Sequence, residues 1–405
     1  MVRRLGRLPQ CAVPLTPPLR SHSVRRIVAV ALATTGLLVG SNVATALAPA
    51  SPAALPHIQH VFVINLENEG FAAAFQPATP TYLSHDLPAM GQLLTNYYAI
   101  GHVSLDNYIA EVSGQAPIPD TQGDCLFYAD AAPATPAPNG QVVAPAGCVY
   151  PKSVTTVADQ LQAAGLTWRG YMEDMGNDPA RDGGVTCAHP ALNSQDQTQS
   201  AAADDQYAAR HNPFVYFHSL LDSGSCPAND VPLTRLAADL SSPRTTPNVA
   251  FITPNLCNDG HDPATPNQTG CTGTNVNGGK AGGLTAANLW LQRYVPLILN
   301  SAGFNQGNGL LVITFDEAST SDTTACCGEQ AGPSSPSPGI TGPGGGRVGA
   351  VVISPVIRPG STNATPYNHY ALLRSVEDLF GLSHLGMAGV GGVASFGSDV
   401  FNNVA

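Results

Sequence analysis

The 405-residue chain is short of charge: only 11% of it is charged, and lysine occurs twice, at Lys152 and Lys280. Six arginines and no acidic residue fall before position 49; from there on 28 acidic residues face 11 basic ones, a net of −17. A surface that acidic repels nucleic-acid backbones and anionic membranes, so neither is an expected partner. The apolar run Ile27–Gly40 covers 14 residues, short for a bilayer, which takes about 20. No Cys-x-x-Cys spacing occurs, which argues against a structural zinc framework. The glycines at 342–346 are not followed by Lys-Ser or Lys-Thr, so they form no P-loop. There is no internal repeat.

What is present begins with an export pattern. A basic stretch ends at Arg25-Arg26, the apolar run follows, and small residues close it at Ala44-Thr45-Ala46 and Ala46-Leu47-Ala48. That order reads as a cleaved signal peptide over 1–48, then an Ala/Pro linker over 49–56 and a single domain over 57–405. The expected product is secreted, with no stable membrane insertion after cleavage. Of nine cysteines one lies in the leader, and eight in an exported chain read as disulfides. Local pairs Cys125–Cys148, Cys187–Cys226 and Cys257–Cys271 are expected. Cys326-Cys327 is either a vicinal bridge or the ends of two different bridges.

Val61–Leu66, Val249–Thr253, Leu310–Phe315 and Val348–Ser354 are continuous apolar runs rich in Val, Ile and Phe. Such runs predict strands buried on both faces of a parallel or mixed sheet. A further strand is expected at Thr167–Tyr171. Helical spacing appears over Thr156–Ala164, ending at Gly165, over Thr285–Asn300, and over Tyr367–Phe380, ending at Gly381. Alternating strands and helices predict an α/β/α sandwich around a central, mostly parallel sheet. The long loops at 120–150, 173–206, 257–283 and 318–346 are the segments expected to carry function or disulfides.

Three of these runs end in hard metal-ligand types. Val61–Leu66 leads into Glu67-Asn68, Val249–Thr253 into Asn258-Asp259-Gly260-His261-Asp262, and Leu310–Phe315 into Asp316-Glu317. Ligands of open α/β sheets bind beyond the carboxyl ends of the strands. Carboxylate, amide and imidazole donors there suit a divalent ion such as Mg, Ca, Mn or Zn. Taken singly, each cluster is equally a helix cap or a solvated turn. Gly101–Tyr108 places Ser104 at or near a helix N-terminus, where backbone N–H groups favour an anion. Ser104 there is either a nucleophile or a cap.

These segments together resemble a known family. Val61–Phe75 with Glu67-Asn68 resembles the opening strand of the phosphoesterase family of secreted acid phosphatases and phospholipases C. Gly101–Tyr108 resembles its G-H-P-S-x-P-N-Y segment, and Arg210–Phe217 its K-H-N-P-F-V-Y-F segment. Pro254–Asp262, Val312–Glu317 and Asn368–Leu382 resemble three further segments, in family order. The resemblance implies an alkaline phosphatase-like fold and a phosphoric ester hydrolase. It makes Ser104 the nucleophile, and His261 or His211 the acid for the leaving group. Asn107 and His102 become substrate contacts. Glu67, Asn68, Asp259, Asp262, Asp316, Glu317 and His369 become candidate ligands of a divalent metal. The expected substrate is a small phosphate ester or a phospholipid. A phospholipase C-type diesterase and an inactive secreted binding protein on the same scaffold are the alternatives. Val103 and Asp106 stand where the family usually has proline, Glu69-Gly70 replaces the usual pair after Glu-Asn, and Asn288 stands where Asp is common.

Overall fold

A computed structural model describes residues 55–202, 205–261, 283–327 and 331–403. The expected export signal, most of the linker, Asp262 and Cys271 lie outside the described residues. The sheet strands are β1 (Val61–Leu66), β2 (Gln92–Leu94), β3 (Trp168–Met172), β4 (Asp230–Pro232), β5 (Val249–Thr253), β6 (Leu310–Phe315), β7 (Ala350–Ile353) and β8 (Ser361–Asn363). They lie in the order β8-β2-β7-β6-β1-β5-β3-β4. Only β7 runs against the rest, pairing antiparallel with β6 and β2; every other pairing is parallel. This is an α/β fold on a mostly parallel sheet.

All residues of β1, β5 and β6 are buried. Both faces of the sheet centre are therefore covered, which is why these strands read as unbroken apolar runs rather than alternating ones. The expected strands at 61–66, 249–253 and 310–315 match to the residue. Those at 348–354 and 167–171 shift by one or two positions at their ends. The strands β2, β4 and β8 have three residues each, too few to leave a period in the sequence.

The longer helices include α1 (Ser104–Ser113), α2 (Val157–Ala163), α3 (Gly283–Leu299) and α4 (His369–Phe380). Helix α4 packs on α1, ends at Gly381 in the left-handed conformation, and is capped at its start by the Asn368 side chain. Helix α2 has a reciprocal cap: Asp159 N–H donates to Thr156 Oγ1, and Asp159 Oδ2 accepts from Thr156 N–H. Thr156→Ala is expected to cost about 1 kcal/mol while sparing the site, read as a lower unfolding midpoint with unchanged turnover. Disulfides join Cys125–Cys148, Cys187–Cys226 and the neighbours Cys326–Cys327. The expected Cys257–Cys271 pair involves a residue outside the described ones.

Candidate active site

Parallel pairing brings three strand ends to one edge. Leu66 is in register with Phe315, so Glu67 and Asp316 emerge side by side. Asp316 N–H donates to the Leu66 carbonyl at 2.8 Å, and Glu67 N–H donates to the Asp259 carbonyl at 2.9 Å. Asp316 Oδ1 accepts from the N–H groups of Asn68 (2.8 Å) and Glu317 (2.6 Å). Glu67, Asp259, Asp316 and Glu317 are all buried.

Ser104 faces this edge. It is the first helical residue of α1; Val103 occupies the cap position and makes no side-chain cap bond. Ser104 Oγ instead donates to Glu67 Oε2 at 2.7 Å. Val103 holds φ at 85°, a conformation disfavoured for a β-branched residue and closed to proline, whose ring fixes φ near about −65°. The substitution at 103 thus goes with a different turn into α1. Val103 N–H donates to Glu317 Oε1 at 3.2 Å, which ties that turn to the carboxylate edge.

Two further side chains reach Glu67. Tyr108, one helical turn beyond Ser104, donates to Glu67 Oε1 at 2.6 Å. His211 Nε2 lies 3.3 Å from the same oxygen, and its ring stacks on Tyr108 at 5.4 Å between centroids. Arg210 is buried beside it, with Nε 3.5 Å from Asp124 Oδ2. Burial alone would lower its pKa, but Asp124, Glu67 and Asp259 outweigh that and hold the guanidinium above its ordinary value. Sequence reasoning assigned no role to Tyr108, Arg210 or Asp124. The first was open to inference, since residues i and i+4 share a helix face.

The other expected residues sort differently. His102 is buried, with Nδ1 against the Glu317 carboxylate and Nε2 donating to the Asp322 carbonyl at 2.9 Å. Burial pulls its pKa down, yet the Glu317 carboxylate prevails and raises it. His102, expected as a substrate contact, thus has both ring nitrogens engaged, one of them on Glu317. Asn107, expected as a substrate contact, braces the turn into α1. Its Oδ1 accepts from the N–H groups of Ile100 and Gly101, and its Nδ2 donates to the carbonyls of Gly101 and Val103. His369, expected as a metal ligand, has Nε2 donating to the Asp316 carbonyl at 2.7 Å and Nδ1 facing Glu111 at 2.9 Å. Asn68 remains at the edge, donating to Glu67 Oε2 at 2.9 Å. His261 is exposed at the mouth, its N–H donating to Asp259 Oδ1 at 3.0 Å.

The electrostatics are those of crowded, buried carboxylates. Burial pushes Glu67 up to about 7, against the hydrogen bonds of Tyr108 and Ser104. Asp316 is raised well above its ordinary value by burial, then by Glu67 and Glu317. Asp316 Oδ2 is buried without a hydrogen-bond partner. An orphaned carboxylate oxygen among hard oxygen donors fits a divalent cation. Glu67, Asp316 and Glu317 would hold it, with Asn68 and Asp259 at hand. Among the described residues, the tight trio of ligand types is Cys187, Cys226 and Asp230. Its sulfurs are bonded to each other, so it offers no thiolate to a metal.

The sequence model of the Phosphoesterase family matches residues 71–383. A phosphate-repressible acid phosphatase of Penicillium chrysogenum is 28% identical over 312 residues, covering 77% of this chain and 57% of that one. A phosphatidylinositol-3-phosphatase of Mycobacterium tuberculosis is 24% identical over 363 residues, covering 88% and 90%. The chain spans only 51% to 59% of the length of the fungal and yeast acid phosphatases it matches. A solved alkaline phosphatase superfamily protein from Vibrio parahaemolyticus aligns with a TM-score of 0.44 at 12% identity, over 86% of this chain and 73% of that one.

Proposed function

The chain belongs to the Phosphoesterase family, and from that premise we propose that it is a secreted phosphatase that hydrolyses phosphoric monoesters through Ser104. One observation carries this reading: the Ser104 hydroxyl points at Glu67 Oε2, 2.7 Å away, instead of capping its own helix. Residues 57–405 act as one catalytic domain, and eight cysteines after the leader suit an exported enzyme.

The chemistry follows from what each side chain can do. Ser104 Oγ attacks phosphorus in line with the leaving alcohol, and its proton leaves along the hydrogen bond it already donates to Glu67 Oε2. The site's buried cation, Arg210, offsets charge on the phosphoryl oxygens, where positioning and electrostatics carry most of the catalysis. His261 protonates the leaving alcohol. His211 is unsuited to that task, because burial, then Arg210 and His261, hold its pKa well below the ordinary histidine value. The neutral imidazole instead packs beside Glu67, stacked on Tyr108 with Nε2 3.3 Å from Glu67 Oε1. Water then releases phosphate from the phosphoserine. A divalent ion at Glu67, Asp316 and Glu317 would supply Lewis-acid stabilisation of the phosphoryl charge.

The relatives named above are phosphatases, which favours a monoester over a diester. The substrate is a small phosphate ester or the phosphorylated headgroup of a lipid. The test is turnover of p-nitrophenyl phosphate against bis(p-nitrophenyl) phosphate, with and without chelator. The monoester should turn over faster, chelation should abolish the reaction, and added divalent ion should restore it. Faster diester turnover would replace the phosphatase reading with a phospholipase C-type one.

A further inference from the structure

A buried carboxylate–imidazole pair lies behind the site carboxylates. Glu111 sits two turns along α1 from Ser104, and His369 opens α4; both are buried. His369 Nδ1 and Glu111 Oε1 are 2.9 Å apart. A carbonyl oxygen only accepts, so His369 Nε2 donates to Asp316 O, which leaves Nδ1 facing the Glu111 carboxylate and the Tyr97 hydroxyl. Glu111 Oε2 accepts from Asn65 Nδ2 at 3.2 Å, and Asn65 stands in β1 two residues before Glu67. The Tyr97 hydroxyl is 3.2 Å from His369 Nδ1, with its ring edge-on to the imidazole.

Burying a carboxylate and an imidazole is costly unless each is paired and hydrogen-bonded. The neighbouring inward residues of α1 – Leu105, Ile109 and Val112 – show that apolar side chains fill this layer. Such a pair in their midst therefore asks for a reason, and its four attachments supply one. It joins β1, α1, α4 and the residue at the end of β6, the elements that bring Glu67, Ser104 and Asp316 together.

We propose that Glu111 and His369 form a positioning pair that fixes Asp316 and Glu67 for a divalent ion. The idea rests on the metal reading given above. Groups that hold metal ligands from behind typically change metal affinity by about 10–100-fold when removed. Glu111→Leu keeps volume and removes the pair, whereas Glu111→Gln keeps a hydrogen bond to His369 and to Asn65. Stripped full-length protein is titrated with Zn²⁺ alone and with Ca²⁺ alone by calorimetry, and unfolding is followed to show that each variant folds. Glu111→Leu should bind about 10–100-fold more weakly, with kcat falling more than KM changes, and Glu111→Gln should recover most of the loss. Glu111→Leu/His369→Leu should bind no worse than the weaker single variant, as expected of residues acting as one unit. Should the leucine variants fail to fold, Glu111→Gln, His369→Gln and their double variant decide by the same non-additivity. A folded variant lacking the pair with wild-type affinity and kcat overturns the inference alone. Wild-type protein that binds neither ion overturns the metal reading and this inference with it.

Discussion

Ser104→Ala should retain its fold and lose kcat by about 10³-fold or more, the scale on which removal of a nucleophile falls. A capping serine would behave otherwise, costing about 1 kcal/mol of stability and sparing turnover. Val103 and not Ser104 occupies the cap position, and the Ser104 hydroxyl donates to Glu67. Its loss should therefore move the unfolding midpoint little. Ser104→Asp should be as inactive as Ser104→Ala, since it sets a second carboxylate against Glu67 Oε2. Ser104→Thr should keep partial activity, as the hydroxyl survives beside an added methyl. Steady-state assays on p-nitrophenyl phosphate measure the loss, and acid quenching followed by mass spectrometry looks for phosphate on the peptide holding Ser104. Near-normal turnover by Ser104→Ala would leave the family and the fold standing and remove the mechanism.

The parts of this site that were legible in the sequence are those that sheet physics makes repetitive. Val61–Leu66, Val249–Thr253 and Leu310–Phe315 are apolar throughout because both sheet faces are covered, and their acidic followers mark the carboxyl edge. Contacts made by helix faces and by loops distant in sequence were not legible. Arg210 reaches Asp124 and the site from a short turn, and nothing in its spacing sets it apart from a surface arginine. Asn107 spends its polar atoms on backbone groups, whereas His369 gives Nε2 to the Asp316 carbonyl and sets Nδ1 against Glu111 and Tyr97. Such commitments depend on which way a ring or amide turns after packing, which residue type alone does not fix. The antiparallel strand β7 carries the same apolar run as its parallel neighbours, so its direction left no mark either.

Metal-free protein is expected to be more stable near about pH 5.5 than near about pH 8, and a divalent ion should shrink that difference. Glu67 is lifted by burial to about 7, and Asp316 well above its ordinary value by burial and by Glu67 and Glu317. A carboxyl whose pKa rises on folding binds its proton more tightly in the folded state. Its contribution is thus present below the unfolded value and is lost as pH rises through the folded one. For Glu67 that loss is on the order of a few kcal/mol across the window from about 4.5 to about 7. His102, raised by Glu317, adds to the same slope. His211, lowered by burial, opposes it, since its contribution falls away as pH drops through the ordinary histidine value. Asp230 and Glu377 are each lifted to about 8 by burial away from the site, so part of the slope should persist whatever is bound. An ion at Glu67 and Asp316 takes the place of their protons, so its stabilisation should be largest near about pH 8 and fade on acidification. Asp316→Asn removes one of these charges without changing shape. Without metal it should therefore be more stable than wild type near about pH 8, and it should lose most of the stabilisation by added ion. Unfolding midpoints across pH, with chelator and with saturating Zn²⁺ or Ca²⁺, measure both effects. Equal ion-induced shifts at the two pH values, or an Asp316→Asn protein that responds to ion as wild type does, would remove the metal from these carboxylates.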